Sequence, residues 1–209
     1  MSNKQGKLFV IAAPSGAGKT SLVKALIESE SDVQVAISHT TRPTRPEEES
    51  GVNYFFISES EFGQMLEKGK FVEHANVFGN LYGTSESEVR RILNTGHHLI
   101  LEIDWQGAEQ IRESIQDIVS IFILPPSLDS LHRRLMERAQ DDNDTIEYRM
   151  AAAIDEMSHY REFDYLIVND DFNIALAQIK DILHGQGSKL TLSAQRDHHK
   201  ALITELIPS

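Results

Sequence analysis

Cysteine is absent from the 209 residues, which excludes disulfides and thiolate metal sites and suits a reducing compartment. Long apolar runs are missing too. The run after Met1–Lys7 extends only from Leu8 to Ala13, too short for a signal peptide or a bilayer span. The expected location is therefore the cytosol, with no membrane partner. The nine histidines lack metal-ligand spacing, so no ion is expected beyond one carried in by a ligand. Basic residues are scarce, 20 against 32 acidic ones, for a net charge of −12. A chain this acidic repels nucleic acid, and no nucleic-acid partner is expected. It repels nucleotides equally unless its few cations gather in one cleft. The length suits one domain able to bury a real core.

What the chain does have is the stretch from Leu8 to Ser21. Leu8-Phe9-Val10-Ile11-Ala12 has strand character and leads into Ala13-Pro14-Ser15-Gly16-Ala17-Gly18-Lys19-Thr20-Ser21. Leu22-Val23-Lys24-Ala25-Leu26-Ile27 follows with helical spacing. Strand, glycine loop and helix in that order are the context of a phosphate-binding P-loop. The pattern G-x-x-x-x-G-K-[ST] is met except that Ala13 stands first. Glycines let the backbone curl until several N–H groups converge on one anion, and the helix N-terminus adds its positive end. Lys19 reaches a terminal phosphate, and the Thr20 hydroxyl is placed to hold Mg²⁺. The expected ligand of residues 13–21 is a nucleoside triphosphate.

Downstream, Val33–Ser38 reads as a strand entering His39-Thr40-Thr41-Arg42-Pro43-Thr44-Arg45-Pro46, where the prolines exclude a helix. Tyr54–Ile57 reads as a strand, and Ser58-x-x-Glu61 as the capping box of a helix ending near Gly69. Phe71–Ala75 reads as a short strand and Phe78–Thr84 as a turn-rich piece. A second capping box, Ser85-x-x-Glu88, opens a helix that stops at Gly96. His98–Asp104 and Ile118–Leu124 read as buried strands, and Leu128 to about Ala139 as a basic helix. Phe163–Val168 reads as the last strand, and Asn169-Asp170-Asp171 caps a helix reaching Leu183. Residues 190–207 read as one further helix. Its apolar side is either a contact in a homo-oligomer or docked on the chain's own core. Alternating strands and helices argue a parallel sheet covered on both faces. Residues 39–84 break that rhythm as an inserted, partly antiparallel subdomain, and the arginine-rich 126–150 reads as a mobile lid.

Several side chains fit phosphate and base chemistry, each with a plainer alternative. Arg42 and Arg45 on a stiff loop suit bidentate grip of a second phosphate, or they pair in solvent with Glu47–Glu49. Glu73, flanked by Phe71, Val72 and Ala75, needs a partner if buried. Guanine offers it two adjacent donors, N1–H and N2–H, while the acceptor at adenine N1 would repel it. Hydroxyls at Ser38 and Thr84 are then left for guanine O6. Alternatively, Glu73 faces water on an edge strand. Asp104 ends a strand where open α/β sheets place ligand residues, near a guanine amino group or a Mg²⁺ shell, or it caps the next helix. Arg134, Arg138 and Arg149 neutralise a transferring phosphoryl group, or pair with Asp141, Asp142, Asp144 and Glu147.

With these residues in view the chain resembles the guanylate kinases, the bacterial form in particular, over roughly residues 7 to 184. The runs that carry the likeness are Thr40-Thr41-Arg42 with Arg45, Glu48, Gly51, Tyr54, Phe56 and Ile57, then Phe71-Val72-Glu73 and Tyr82-Gly83-Thr84. Asp104-Trp105-Gln106-Gly107 and Val168-Asn169-Asp170-Asp171 complete them. The resemblance implies an α/β fold: a parallel-sheet P-loop kinase core (1–38, 85–125 and 151–185), a small mixed α+β GMP-binding insertion (39–84), a helical lid (126–150) and a tail (186–209). It implies ATP:GMP phosphotransfer with Mg²⁺ in purine nucleotide metabolism. It also implies that Arg42, Arg45, Tyr54 and Tyr82 hold the GMP phosphate while Ser38, Glu73, Thr84 and Asp104 read guanine, with Gly83 also in the GMP site. Lys19, Arg42, Arg134, Arg138 and Arg149 would serve the transferred phosphoryl, and Asn169 the adenine side of ATP. The chain departs from the family pattern at Ala13, Leu81, Glu102, Glu137 and Ala139, none of which removes an assigned functional group. Two other readings are a P-loop kinase acting on a ribose phosphate, which has no need of Glu73, and a non-catalytic guanylate-kinase-like binding module.

Overall fold

A computed structural model describes residues 6–138 and 143–208, with 138 and 143–145 by backbone alone. The strand expected before the glycine loop is β1 (Leu8–Ala12), buried at all five positions, as a strand covered on both faces must be. With β2 (Val33–Val35), β7 (His98–Glu102), β8 (Val119–Leu124) and β9 (Tyr165–Val168) it forms a five-stranded parallel sheet in the order β2-β7-β1-β8-β9. A second, four-stranded sheet holds β3 (His39–Thr40), β4 (Phe55–Phe56), β5 (Phe71–Val77) and β6 (Asn80–Ser85) in the order β4-β3-β6-β5. It is mixed: β3 runs parallel to β4 and antiparallel to β6. The whole is an α/β fold.

The chain divides into two compact units, Met1–Val10 with Asp32–Val119, and Ile11–Ser31 with Ser120–Ser209. In the first unit, β2 and β7 pair in register Val33↔His98, and the mixed sheet carries helices α2 (Glu59–Glu67), α3 (Glu86–Leu93) and α4 (Trp105–Ser114). The capping box of α2 forms as read: Ser58 Oγ accepts the Glu61 N–H at 3.2 Å, and the Glu61 carboxylate accepts the Ser58 N–H at 2.9 Å. At α3 only half of the expected box forms. Ser85 Oγ accepts the Glu88 N–H, but the Glu88 carboxylate turns to Arg91 at 2.9 Å and to the Ile37 N–H at 3.4 Å. Helix α4 starts on Asp104, whose Oδ1 accepts the Gly107 N–H at 2.9 Å.

The stretch 78–84, read as turn-rich, instead forms a hairpin in which Val77 pairs with Asn80 across Phe78 and Gly79. Both loop residues have positive φ, 50° and 77°, as a two-residue turn matched to strand twist requires. The Val33–Ser38 strand also proves shorter, ending as β2 at Val35.

In the second unit, α1 (Lys19–Ser29) packs on α7 (Phe172–Leu183), and α5 (Leu128–Arg138) on α6 (Asn143–Ser158). Register Ile121↔Tyr165 to Leu124↔Val168 joins β8 to β9. Residues 190–207 form two helices rather than the single one expected, α8 (Leu192–His198) and α9 (Lys200–Leu206), separated at His199. α8 lies against β9, and of the apolar side Ile203 and Leu206 are buried in the chain while Leu202 and Ile207 are half-buried. Leu101 on β7 is wholly buried, and Leu101→Ala is expected to lower the unfolding free energy by about 2–5 kcal/mol. Urea denaturation checks this; a loss below about 1 kcal/mol would mean the site collapses around the gap.

Candidate active site

The glycine loop, residues 13–21, lies wholly in the second unit. Gly16 and Gly18 have φ of 90° and 91°, values other residues adopt only with strain. A Cβ on Gly18 would sit 2.5 Å from Asn169 Nδ2. That approach is purposeful: Asn169, 4% exposed, donates from Nδ2 to the Ala17 carbonyl at 2.7 Å. Arg134 donates to the same carbonyl at 3.4 Å and to the Asn169 carbonyl at 3.3 Å. The Ala17 N–H closes a turn on the Pro14 carbonyl at 3.1 Å. The N-cap of α1 is Gly18, which has no side chain to cap the helix, and the first-turn N–H groups follow it directly. Lys19 and Thr20 occupy that first turn, with Thr20 exposed and Ser21 beside it.

A cavity of about 340 Å³ opens beside the loop, lined by Gly16, Gly18, Ser21, Arg134, Glu137, Asn169, Asp170 and Phe172. Ala13 and Ser15 are half-buried and Pro14 and Ala17 buried. Arg149 lies half-buried on α6. The Arg138 side chain, with Asp141 and Asp142, falls outside the described residues, as does the Asp144 side chain. One contact had no counterpart in the sequence reading: Glu156 on α6 accepts the Ser15 N–H at 2.9 Å. A lone Glu on a helix gives no signal of that kind.

The remaining candidates gather in the first unit. Glu73 is 3% exposed, so of the two alternatives left open for it, burial or a face to water, the structure shows burial. It sits directly across from the buried Thr84, and the Thr84 hydroxyl meets Ser38 Oγ at 3.0 Å. Asp104 serves as the α4 cap, and its Oδ2 also accepts from Gln106 Nε2 at 3.0 Å. Gly107, held by that cap, has its Cα against Glu73: a Cβ there would lie 2.5 Å from Glu73 Oε2.

Arg42 does pair with one of the acids that follow it, Glu48, but not in solvent. Its guanidinium pairs with Glu48 at 2.7 Å, and both side chains are mostly buried, at 13% and 15% exposure. It also sits 5.6 Å from the Tyr54 ring centre and 5.7 Å from that of Phe56. Tyr54 and Tyr82 meet edge to face at 5.9 Å. Gly83 follows on β6, where a Cβ would press on Phe71 and Phe62 at 3.0 and 3.1 Å. Arg45 is exposed, and its N–H donates to Glu48 Oε2 at 2.9 Å. Burial and the Glu102 charge push the Tyr54 phenol up to about 12, so it stays protonated, a donor for an anion.

Burial raises the Glu48 pKa, but the bonds from Arg42 and the Arg45 N–H outweigh it and leave the carboxyl below its ordinary value. The stabilisation is therefore present above the ordinary carboxylate range and lost as pH falls through the lowered pKa. Glu48→Gln is expected to melt below the parent chain at pH 7, with the gap closing as the pH drops toward 3. Thermal melts across that range check it; a gap independent of pH would remove Glu48 as the cause.

Set beside known proteins, this chain matches the family model described as guanylate kinase over residues 5–186. It is 52% identical over 207 residues to the guanylate kinase of Pseudomonas fluorescens strain Pf-5, covering 99% of this chain and 100% of that one. It is 51% identical over 205 residues to that of Escherichia coli K12, covering 97% and 98%. The crystal structure of guanylate kinase from Anaplasma phagocytophilum superposes with a TM-score of 0.74 at 31% identity, over 94% of this chain and 95% of that one. A P-loop joined to this sheet order, and a buried carboxylate across from a hydroxyl pair, thus accompany likeness along nearly the full length: the chain belongs to the guanylate kinase family.

Proposed function

We propose that this chain transfers the γ-phosphoryl group of ATP to GMP or dGMP, giving ADP and GDP. One observation carries most of the weight: the buried Glu73 carboxylate, opposite Thr84 and its partner Ser38. Guanine N1–H and N2–H would donate to Glu73 while O6 accepts from the hydroxyls. Adenine would bring its N1 lone pair against the carboxylate, an unpaired contact that rejects it. Asp104 is assigned to the guanine amino side, and Gly83 to the wall of the same pocket. Arg42, Arg45, Tyr54 and Tyr82 are assigned to the GMP phosphate. The neutral Tyr54 phenol supports a donor role there.

For ATP, residues 13–21 and Asn169 are the proposed site, with the loop amides and Lys19 on the β- and γ-phosphates. Arg134, Arg138 and Arg149 are assigned to the transferring oxygens, in a lid spanning 126–150. Residues 39–84 are the proposed GMP-binding insertion, the segments 1–38, 85–125 and 151–185 the core, and 186–209 a tail. An oxygen of the GMP phosphate, already ionised at neutral pH, attacks the γ-phosphorus. The bond from that phosphorus to the β–γ bridging oxygen breaks, and ADP leaves with the electron pair. No base need remove a proton, so catalysis is alignment and charge neutralisation.

Mg²⁺ keeps several waters and draws most of its other ligands from phosphates. Among the described residues no three carboxylates or imidazoles gather to hold an ion by themselves. A hydroxyl, Thr20, stands exposed in the first turn of α1. That donor set fits an ion delivered with the nucleotide, and Thr20 is its proposed protein ligand. When bound, the ion supplies charge neutralisation at the β- and γ-phosphates.

A coupled assay with ATP and GMP, dGMP, AMP or CMP tests the proposal. GMP is expected to turn over well ahead of AMP and CMP, and equal rates would contradict the assignment. Glu73→Gln is expected to lower kcat/KM for GMP by about 10- to 100-fold, the loss for a hydrogen bond to a charged group. Lys19→Ala is expected to lower kcat by about 100-fold or more with every acceptor.

A further inference from the structure

β5 is an edge strand of the mixed sheet, so half of its peptide groups face away from β6 and need partners elsewhere. At His74, the residue after Glu73, a side-chain amide takes that place. Gln110 Oε1 accepts the His74 N–H at 3.0 Å, and Gln110 Nε2 donates to the His74 carbonyl at 2.7 Å. The amide thus bonds to β5 as a neighbouring peptide would. Nε2 also reaches the Gln106 carbonyl at 3.3 Å, which ties the side chain to its own helix.

Asp104, Gly107 and Gln110 follow one another at spacings of three, on one face of the start of α4. Between cap and clamp, Gly107 leaves the room that Glu73 fills, with Oε2 where a Cβ would stand 2.5 Å away. The φ of Gly107 is not positive, so no backbone conformation calls for glycine here; the carboxylate does. The register also shifts between Phe71 and Glu73, a bulge that re-aims the strand just where the carboxylate leaves it.

We infer that Gln110 and Gly107 are positioning residues for base selectivity: Gln110 fixes the backbone beside Glu73, and Gly107 gives its carboxylate one seat, an assignment that rests on Glu73 being the guanine reader. Neither is assigned a contact with the nucleotide. Their effect is on where the two carboxylate oxygens lie, to a tolerance that two parallel hydrogen bonds to N1–H and N2–H make strict.

The test compares kcat/KM for GMP with that for inosine 5′-monophosphate, which lacks the 2-amino group, alongside the KM for ATP and the melting temperature. Gly107→Ala is informative because the added Cβ meets the Glu73 carboxylate directly while alanine itself suits a helix. Gly107→Ala and Gln110→Met are each expected to cut the GMP/IMP ratio about tenfold or more, leaving the KM for ATP unchanged. Gln110→Glu, which keeps the acceptor for the His74 N–H and loses the donor, is expected to fall between. Glu73→Gln serves as the reference. If it collapses the ratio while Gly107→Ala and Gln110→Met keep the parent value, the positioning role is overturned and the guanine reading stands. If Glu73→Gln keeps the parent ratio, the guanine reading itself fails. Should Gln110→Met not fold, Gly107→Ala decides alone.

Discussion

A carboxylate that is 3% exposed cannot be left to find its own place, and the first unit is arranged around holding Glu73. Burial of an ionised group costs several kcal/mol unless donors or charges meet it. In the proposed role, a ligand with two donors suits such a carboxylate and one with an acceptor there does not. The surroundings follow from this need. Thr84 stands across the ladder, Ser38 ties the hydroxyl side to the strand before it, and α4 presents a bare Cα at Gly107.

At the glycine loop, the proposed ATP site, the backbone is held in a fixed turn. Gly16 and Gly18 take left-handed conformations, and the Ala17 carbonyl between them is taken up by Asn169 and Arg134. A carbonyl so occupied is kept from turning toward a phosphate. The Ser15 N–H is held by Glu156, which fastens the loop to α6 in this state. In a chain of net charge −12, each cation beside a phosphate also offsets a general repulsion. In the Arg42–Glu48 pair a neighbouring acid fixes where a cation points.

The parallel core was legible because β1 is apolar at every position and a glycine loop punctuates its end. The β5–β6 hairpin was not. Its two-residue turn is Phe78-Gly79, and an aromatic residue at φ 50° gives none of the Asn-Gly or Asp-Gly signal that marks such turns. The helix over 190–207 was legible as an apolar face but not as two pieces, since nothing at His199 announces a break. Among site residues, those on loops and strand ends stood out by type. Glu156 and Gln110 did not, because a polar residue on a helix face reads as solvated until the partner element is in place. Glu73 lay between these cases. Alternation puts it on the face of Ala75, and only the packing of α4 on β5 decides that this face is dry.

The most direct measurement is a crystal structure of the protein with GMP bound. The account requires the purine N1 and N2 within hydrogen-bond distance of the Glu73 carboxylate, O6 toward Ser38 and Thr84, and the phosphate at Arg42, Tyr54 and Tyr82. A purine bound away from residue 73 would contradict it.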